Sequence, residues 1–203
     1  MQLDMPGELA APYRSGSQRT RVVSEAWGEE NLYCSNCTSD RLRRLPTNTP
    51  ALDFECPQCA SLFQLKSQRH RFTTRINDAA YDKMREAILE GMTPNILALH
   101  YDPTSWTVQN LILVPNFAFS LSCLEKRKAL RSSAERAGWV GCNILLVNIP
   151  RDARIPVVID GQPASPASVR QQYGRLRPLE KLKAEARGWT LDVLNVGRSA
   201  ASW

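Results

Sequence analysis

The run L-D-F-E-C-P-Q-C-A-S-L-F-Q-L-K, residues 52–66, holds an acid at Asp53 and then Gln64 and Lys66 on one alternating stretch. Gln64 and Lys66 are two positions apart, so on a strand both side chains leave the same face. Metal-dependent phosphodiester hydrolysis needs oxygen ligands for a divalent cation and a group that orients the attacking water. Asp53, the side-chain oxygen of Gln64 and the backbone carbonyl of Leu65 supply three oxygens for a magnesium ion. Lys66 would position the water and offset charge building on the phosphate. Gln64 offers a dipole where a carboxylate would offer a full charge. Glu55, which shares strand parity with Asp53, or Glu25 on the first helix would restore that charge. Spacing alone does not separate this reading from an ordinary half-exposed strand.

The turn of the same hairpin carries Cys56-x-x-Cys59, and Cys34-x-x-Cys37 precedes it with 18 residues between the pairs. That is zinc-ribbon spacing: two thiolates two residues apart share one ion, and the second pair completes a tetrahedron of four sulfurs. A four-cysteine site has no open coordination position, so the expected zinc is structural. Cys123 and Cys142 stand alone, and His70 and His100 lack a partner spacing that suggests catalysis. The N-terminus shows neither a basic n-region nor an apolar h-region, which predicts a reducing compartment where metal ligation is favoured over disulfides.

The elements that must carry these groups read as mixed α/β, strand pairs alternating with helices. A helix is expected over Ser17–Trp27, then strands over 50–55 and 61–66. A second helix starts at Asn77 or Asp78 as cap, shows a Tyr81, Met84, Ile88 stripe and ends at Gly91. Apolar runs at 95–101 and 108–115 predict a buried strand pair. A basic helix or loop is expected over 122–137, and strands over 142–149 and 155–160. Ser165-Pro166 caps a helix through Tyr173, a charged helix runs to Gly188, and 189–196 closes the fold as a last strand.

A length of 203 residues suits one well-buried domain, placed at 1–196 with the ribbon at 33–60 inserted in it and a flexible tail at 197–203. No apolar run approaches the length of a membrane span. The net charge of +6 fits a polyanionic partner, and Lys126, Arg127, Lys128, Arg131 and Arg136 cluster; a solvated face is the plain alternative.

Eight segments then carry a resemblance: Y-R-S-G-S-Q-R-T-R-V-V-S-E-A-W at 13–27, Y-C-S-N-C at 33–37, D-F-E-C-P-Q-C at 53–59, F-Q-L-K-S at 63–67, F-T-T-R-I-N-D-A-A-Y at 72–81, R-A-G-W-V-G-C-N-I at 136–144, D-G-Q at 160–162 and R-G-W-T-L-D-V-L-N at 187–195. In order and over nearly the whole chain, they resemble the catalytic domain of the DpnI-like methyl-directed restriction endonucleases, of the PD-(D/E)XK nuclease superfamily. The resemblance implies a mixed-sheet PD-(D/E)XK core with the zinc ribbon embedded in it, catalytic magnesium, structural zinc and cleavage of double-stranded DNA at GATC bearing N6-methyladenine. Asp53 and Lys66 match the family's acid and lysine, whereas Gln64 stands where the family enzyme has Glu. The alternative is a catalytically weak or inactive methyladenine-DNA reader of the same fold. A zinc-ribbon interaction protein unrelated to DNA is a further rival.

The resemblance covers the family's catalytic domain and not its C-terminal winged-helix domain, so specificity is expected within this domain, acting as a monomer in the cytoplasm of a bacterial or phage-like host. The methyl-reading candidate is Trp139, with Arg136 beside it and Gly138 and Gly141 allowing close backbone approach. An N6-methyl group in the major groove adds apolar surface worth roughly 1 kcal/mol against an aromatic face. The alternative for Trp139 is a core aromatic before strand 142–149.

Overall fold

A computed structural model of the chain describes residues 1–47, 49, 51–182 and 184–196, without the side chains of 79, 184, 185, 195 and 196. The elements in chain order are α1 (Gly16–Asn31), β1 (Arg43–Arg44), β2 (Phe54–Glu55), β3 (Leu62–Gln68), β4 (Arg75–Ala80), α2 (Tyr81–Glu90), β5 (Asn95–Asp102) and β6 (Thr107–Val114). They continue with β7 (Leu124–Lys126), β8 (Gly141–Leu145), β9 (Ile155–Ile159), β10 (Gln162–Pro163), α3 (Pro166–Leu176) and α4 (Ala184–Val196). The mixed α/β class is as expected. The chain divides into two compact units, one of 1–71, 94–114 and 155–175, the other of 72–93, 115–154 and 176–203.

The first unit is built on a seven-stranded mixed sheet in the order β1-β2-β3-β5-β6-β9-β10. Only β3 and β5 run parallel, and every other pair is antiparallel. The expected pair at 95–101 and 108–115 is present as β5 and β6, and its near-continuous apolar pattern follows from a central position in the sheet. Phe54 and Phe63 face each other across β2 and β3 and are both fully buried, which locks the register of this short hairpin. Against it packs α1 through Val23 and Trp27, both buried. Gly28 lets the helix come close: a Cβ there would lie 2.7 Å from the Phe54 ring. One turn earlier on α1 stands Glu25, so this approach also sets where its carboxylate falls.

The second unit holds a three-stranded antiparallel sheet in the order β4-β8-β7. Here three expectations are corrected. Residues 75–80 form β4, so Asn77 and Asp78 do not cap a helix; α2 begins only at Tyr81. Ile76 pairs with Ile144 and both are buried, a sheet contact that outweighs the local capping preference of Asn and Asp. The stripe itself holds, with Met84 and Ile88 buried and Gly91 ending α2 at φ 68°. Residues 124–126 of the basic stretch form the edge strand β7. Residues 184–196, expected as the end of a charged helix and a last strand, are one helix, α4, in which the Thr190 hydroxyl bonds back to the Ala186 carbonyl at 2.8 Å. Of its apolar residues with described side chains only Leu191 is fully buried, while Trp189, Val193 and Leu194 stay exposed, so the alternation over 189–193 does not serve a buried sheet face.

Smaller departures follow the same logic. The strand expected at 142–149 ends at Leu145 and passes into a 3-10 turn over Leu146–Asn148. The charged segment starts with a 3-10 turn over Arg177–Lys181. Ser165 does cap α3, its hydroxyl accepting the Ser168 N–H at 3.2 Å. The tail at 197–203 lies outside the described residues.

Candidate functional site

The four ribbon cysteines converge, their Sγ atoms all within 4.8 Å of one another. Cys34 and Cys59 are 3.6 Å apart, and Cys37 and Cys56 3.5 Å. A tetrahedral ion with metal–sulfur bonds of about 2.3 Å separates its sulfurs by roughly 3.8 Å, so the donor set fits zinc. The Asn36 N–H points at Cys34 Sγ (3.3 Å) and the Ser39 N–H at Cys37 Sγ (3.4 Å), each favouring a thiolate. Burial pushes the Cys34 thiol up. At Cys59 burial acts the same way but is outweighed by the Ser61 hydroxyl and N–H together with the Cys56 and Cys34 thiols, which bring it down to about 6. All four ligand positions would be filled by protein, which suits a structural ion.

Arg170 of α3 ties the first knuckle down. Its guanidinium donates to the Cys34 carbonyl at 3.0 Å and the Ser39 carbonyl at 2.9 Å, and stands over the Tyr33 ring at 5.4 Å. Nothing in the sequence marks this arginine, because the contact spans more than a hundred residues.

The second knuckle closes the β2–β3 turn and so determines where Asp53 sits. The Asp53 N–H donates to the Phe63 carbonyl at 3.0 Å, and β2 pairs Phe54 with Phe63 and Glu55 with Leu62. Continuing that register sets Asp53 opposite Gln64. β2 is only two residues long, and past Phe63 this edge of β3 has no backbone partner among the described residues. Asp53 fills the gap with its side chain, Oδ2 accepting the Leu65 N–H at 2.7 Å. Gln64 is 8% exposed, and Lys66, two residues on, shares its face of β3. Asp53, Gln64, Leu65 and Lys66 are thus brought together at one strand edge.

Burial raises the Asp53 carboxyl above its ordinary range. The Leu65 hydrogen bond opposes that, the Glu25 charge adds to it, and the Lys66 and Arg21 charges oppose it. Of the two candidate acids, Glu25 is the one whose charge reaches Asp53. Glu55 is engaged instead by Arg43 across β1 and β2, at 2.6 Å. Glu25 is 5% exposed and held on both oxygens, by Arg21 at 2.7 Å and by Arg44. The Arg21–Glu25 pair was visible in principle as an i, i+4 spacing on α1; Arg44 was not.

In the second unit Trp139 is half-buried. Its ring lies over Gly141, where a Cβ would come within 2.6 Å of it, and Arg136 stands 4.8 Å from the ring centroid. Gly138 has open space around it and a φ of 79°, so it serves the backbone turn. Cys142 is fully buried beside them.

The sequence model of the family described as DpnI, Dam-replacing family, matches residues 1–182. That span contains the cysteine cluster, the β3 edge with Asp53, and Trp139 with its glycines. The match covers about nine-tenths of the chain and includes every element of the large sheet, and on it the chain belongs to the DpnI, or Dam-replacing, family.

Proposed function

We propose that the protein is a methyl-directed endonuclease with a PD-(D/E)XK core, hydrolysing phosphodiester bonds of double-stranded DNA at GATC sites that carry N6-methyladenine. Family membership supports methyl-directed DNA cleavage or recognition as the class. The observation that carries the cleavage reading is the Asp53–Leu65 hydrogen bond, which sets a carboxylate at the edge of the strand bearing Gln64 and Lys66.

The donor set at this edge suits magnesium. In a strand, the N–H and C=O of one residue point to the same edge, so the Leu65 carbonyl opens toward Asp53. Asp53 Oδ1, the Leu65 carbonyl and Gln64 Oε1 are three hard oxygens, the ligand type that Mg2+ prefers. A bound magnesium supplies electrophilic polarisation of the phosphate and a more acidic water. Lys66 holds a hydrogen-bonding cation on the same face, where it orients the nucleophilic water and offsets negative charge on the phosphoryl oxygens. Asp53 is kept in place by the Leu65 N–H. Glu25 adds a second negative charge from α1. The cysteine cluster, with zinc bound, holds the β2–β3 turn and with it the spacing between Asp53 and Lys66. Trp139 offers an aromatic face for the adenine methyl groups, and Arg136 a cation for a phosphate.

A second reading has its own support. Gln64 is an amide, and both oxygens of Glu25 are held by arginines, which lowers the net negative charge at the edge. That favours a methyladenine-DNA reader with weak or no cleavage. Incubating methylated and unmethylated GATC duplexes with magnesium separates the two: cleavage of the methylated duplex supports the endonuclease, and binding without any nicking supports the reader.

A further inference from the structure

The Asp160–Gly161 turn joining β9 to β10 controls the hydrogen-bonding state of a histidine on the neighbouring strand. Its φ values of 46° and 73° are those of a two-residue left-handed hairpin turn, which Asp-Gly readily forms. The Gly161 N–H donates to the Gln109 carbonyl at 2.8 Å, and the Asp160 N–H to Asn110 Oδ1 at 3.1 Å. A backbone N–H only donates, so the oxygen of the Asn110 amide faces the turn. Its Nδ2 then faces His100 Nδ1, 3.1 Å away. That nitrogen must accept, which places the proton of the neutral ring on Nε2. Among the described residues Nε2 has no hydrogen-bond partner, and it is not among the buried unsatisfied atoms.

Register puts this donor on the catalytic face. Lys66 is opposite Ala98, Gln68 is opposite His100, and His100 is opposite Asn110. Cross-strand partners share a face, so His100 lies one diagonal step along the sheet from Lys66. Arg71, just past the end of β3, is held at 3.3 Å by Asp160, the residue that orients Asn110. Burial first, then the charges of Arg71 and His70, lower the His100 pKa against the pull of Asp102 and Asp160, which favours the neutral ring. Asp102 turns one carboxylate oxygen to the Thr104 N–H at 2.8 Å.

We propose that His100 Nε2–H and the Arg71 guanidinium form a phosphate-binding subsite for the DNA phosphodiester next to the one cleaved. The proposal rests on the endonuclease reading for its substrate. A single N–H beside a guanidinium fork matches the oxygens of a phosphodiester. The two donors leave different traces, because a neutral donor releases no counterion and a cation does.

The test is binding of a methylated GATC duplex, with magnesium omitted, across a range of salt, together with ring-nitrogen NMR of His100. The expected spectrum is that of the Nε2–H tautomer, with Nε2 shifting on addition of inorganic phosphate or duplex. His100→Ala should weaken duplex binding about tenfold with the salt slope unchanged, and His100→Gln, which keeps an N–H, should restore most of it. Arg71→Ala should lower the slope by about one. An Nδ1–H tautomer, no shift with phosphate, or full affinity in His100→Ala overturns the subsite. None of these readouts uses cleavage, so a wild-type protein that binds but never cuts overturns the endonuclease reading alone.

Discussion

Asp53 Oδ2 accepts the Leu65 N–H at 2.7 Å, a side chain standing in for a backbone partner just where β2 runs out. The short strand thus has a consequence for chemistry. One more paired residue would have closed the edge of β3; its absence leaves Asp53 and the Leu65 carbonyl turned to the same side.

Gln64→Glu should tighten magnesium binding. A carboxylate replaces a dipole at a position 8% exposed, so the half-saturating magnesium concentration should fall on the order of tenfold. Without metal the new charge sits near Asp53 and Glu25, so the variant should melt below wild type and recover with magnesium. Thermal melts with and without magnesium, beside a magnesium titration of cleavage, check both halves. An unchanged titration would mean that position 64 does not face the metal.

Glu25→Ala leaves the Arg21 and Arg44 guanidinium groups without their shared anion. Both arginines retain some solvent, so the cost is placed below that of a fully buried pair, at about 1–3 kcal/mol. Denaturant unfolding measures it. The Glu25 charge also raises the Asp53 carboxyl, so its removal should shift the acid limb of any cleavage profile to lower pH.

How much of this was readable beforehand depended on how local the signal was. The two C-x-x-C pairs, the Gln64/Lys66 parity and the capping of α3 by Ser165 are short-range patterns, and the structure has each of them. Asn77 and Asp78 looked like a cap because capping is local, whereas the pairing of Ile76 with Ile144 is not. Residues 189–196 carried an apolar pattern that suits strand or helix, and periodicity over so short a run does not separate them. Arg44 on Glu25 and Arg170 on the Cys34 knuckle join residues 19 and 136 positions apart. No spacing rule reaches so far.

Removing the zinc should loosen the Asp53–β3 edge along with the ribbon. One zinc per chain is expected by elemental analysis, and Cys56→Ser or strong chelation should lower the melting temperature and abolish cleavage together. Arg170→Ala, which frees two carbonyls of the first knuckle, should cost about 1–3 kcal/mol and speed zinc release to a colorimetric chelator. Zinc loss at the wild-type rate would mean that the clamp contributes nothing to the site.

Trp139→Ala should narrow the preference for methylated over unmethylated duplex, by about fivefold for each methyl lost from contact. Gly141→Ala should do much the same with Trp139 itself retained, because the added Cβ would come within 2.6 Å of the indole ring and displace it. Paired binding curves on the two duplexes give the ratio, and equal ratios in wild type and Trp139→Ala would remove Trp139 as the reader.

The most direct measurement of the central claim is a magnesium-dependent cleavage time course on a GATC duplex methylated on both adenines, run beside its unmethylated twin, with wild type and Lys66→Ala. Wild type should cut the methylated duplex, the unmethylated one should be largely spared, and Lys66→Ala should slow cutting at least a hundredfold, about 3 kcal/mol of transition-state stabilisation. Full activity in Lys66→Ala, or no nicking of the methylated duplex by a wild-type protein that binds it, would contradict the account.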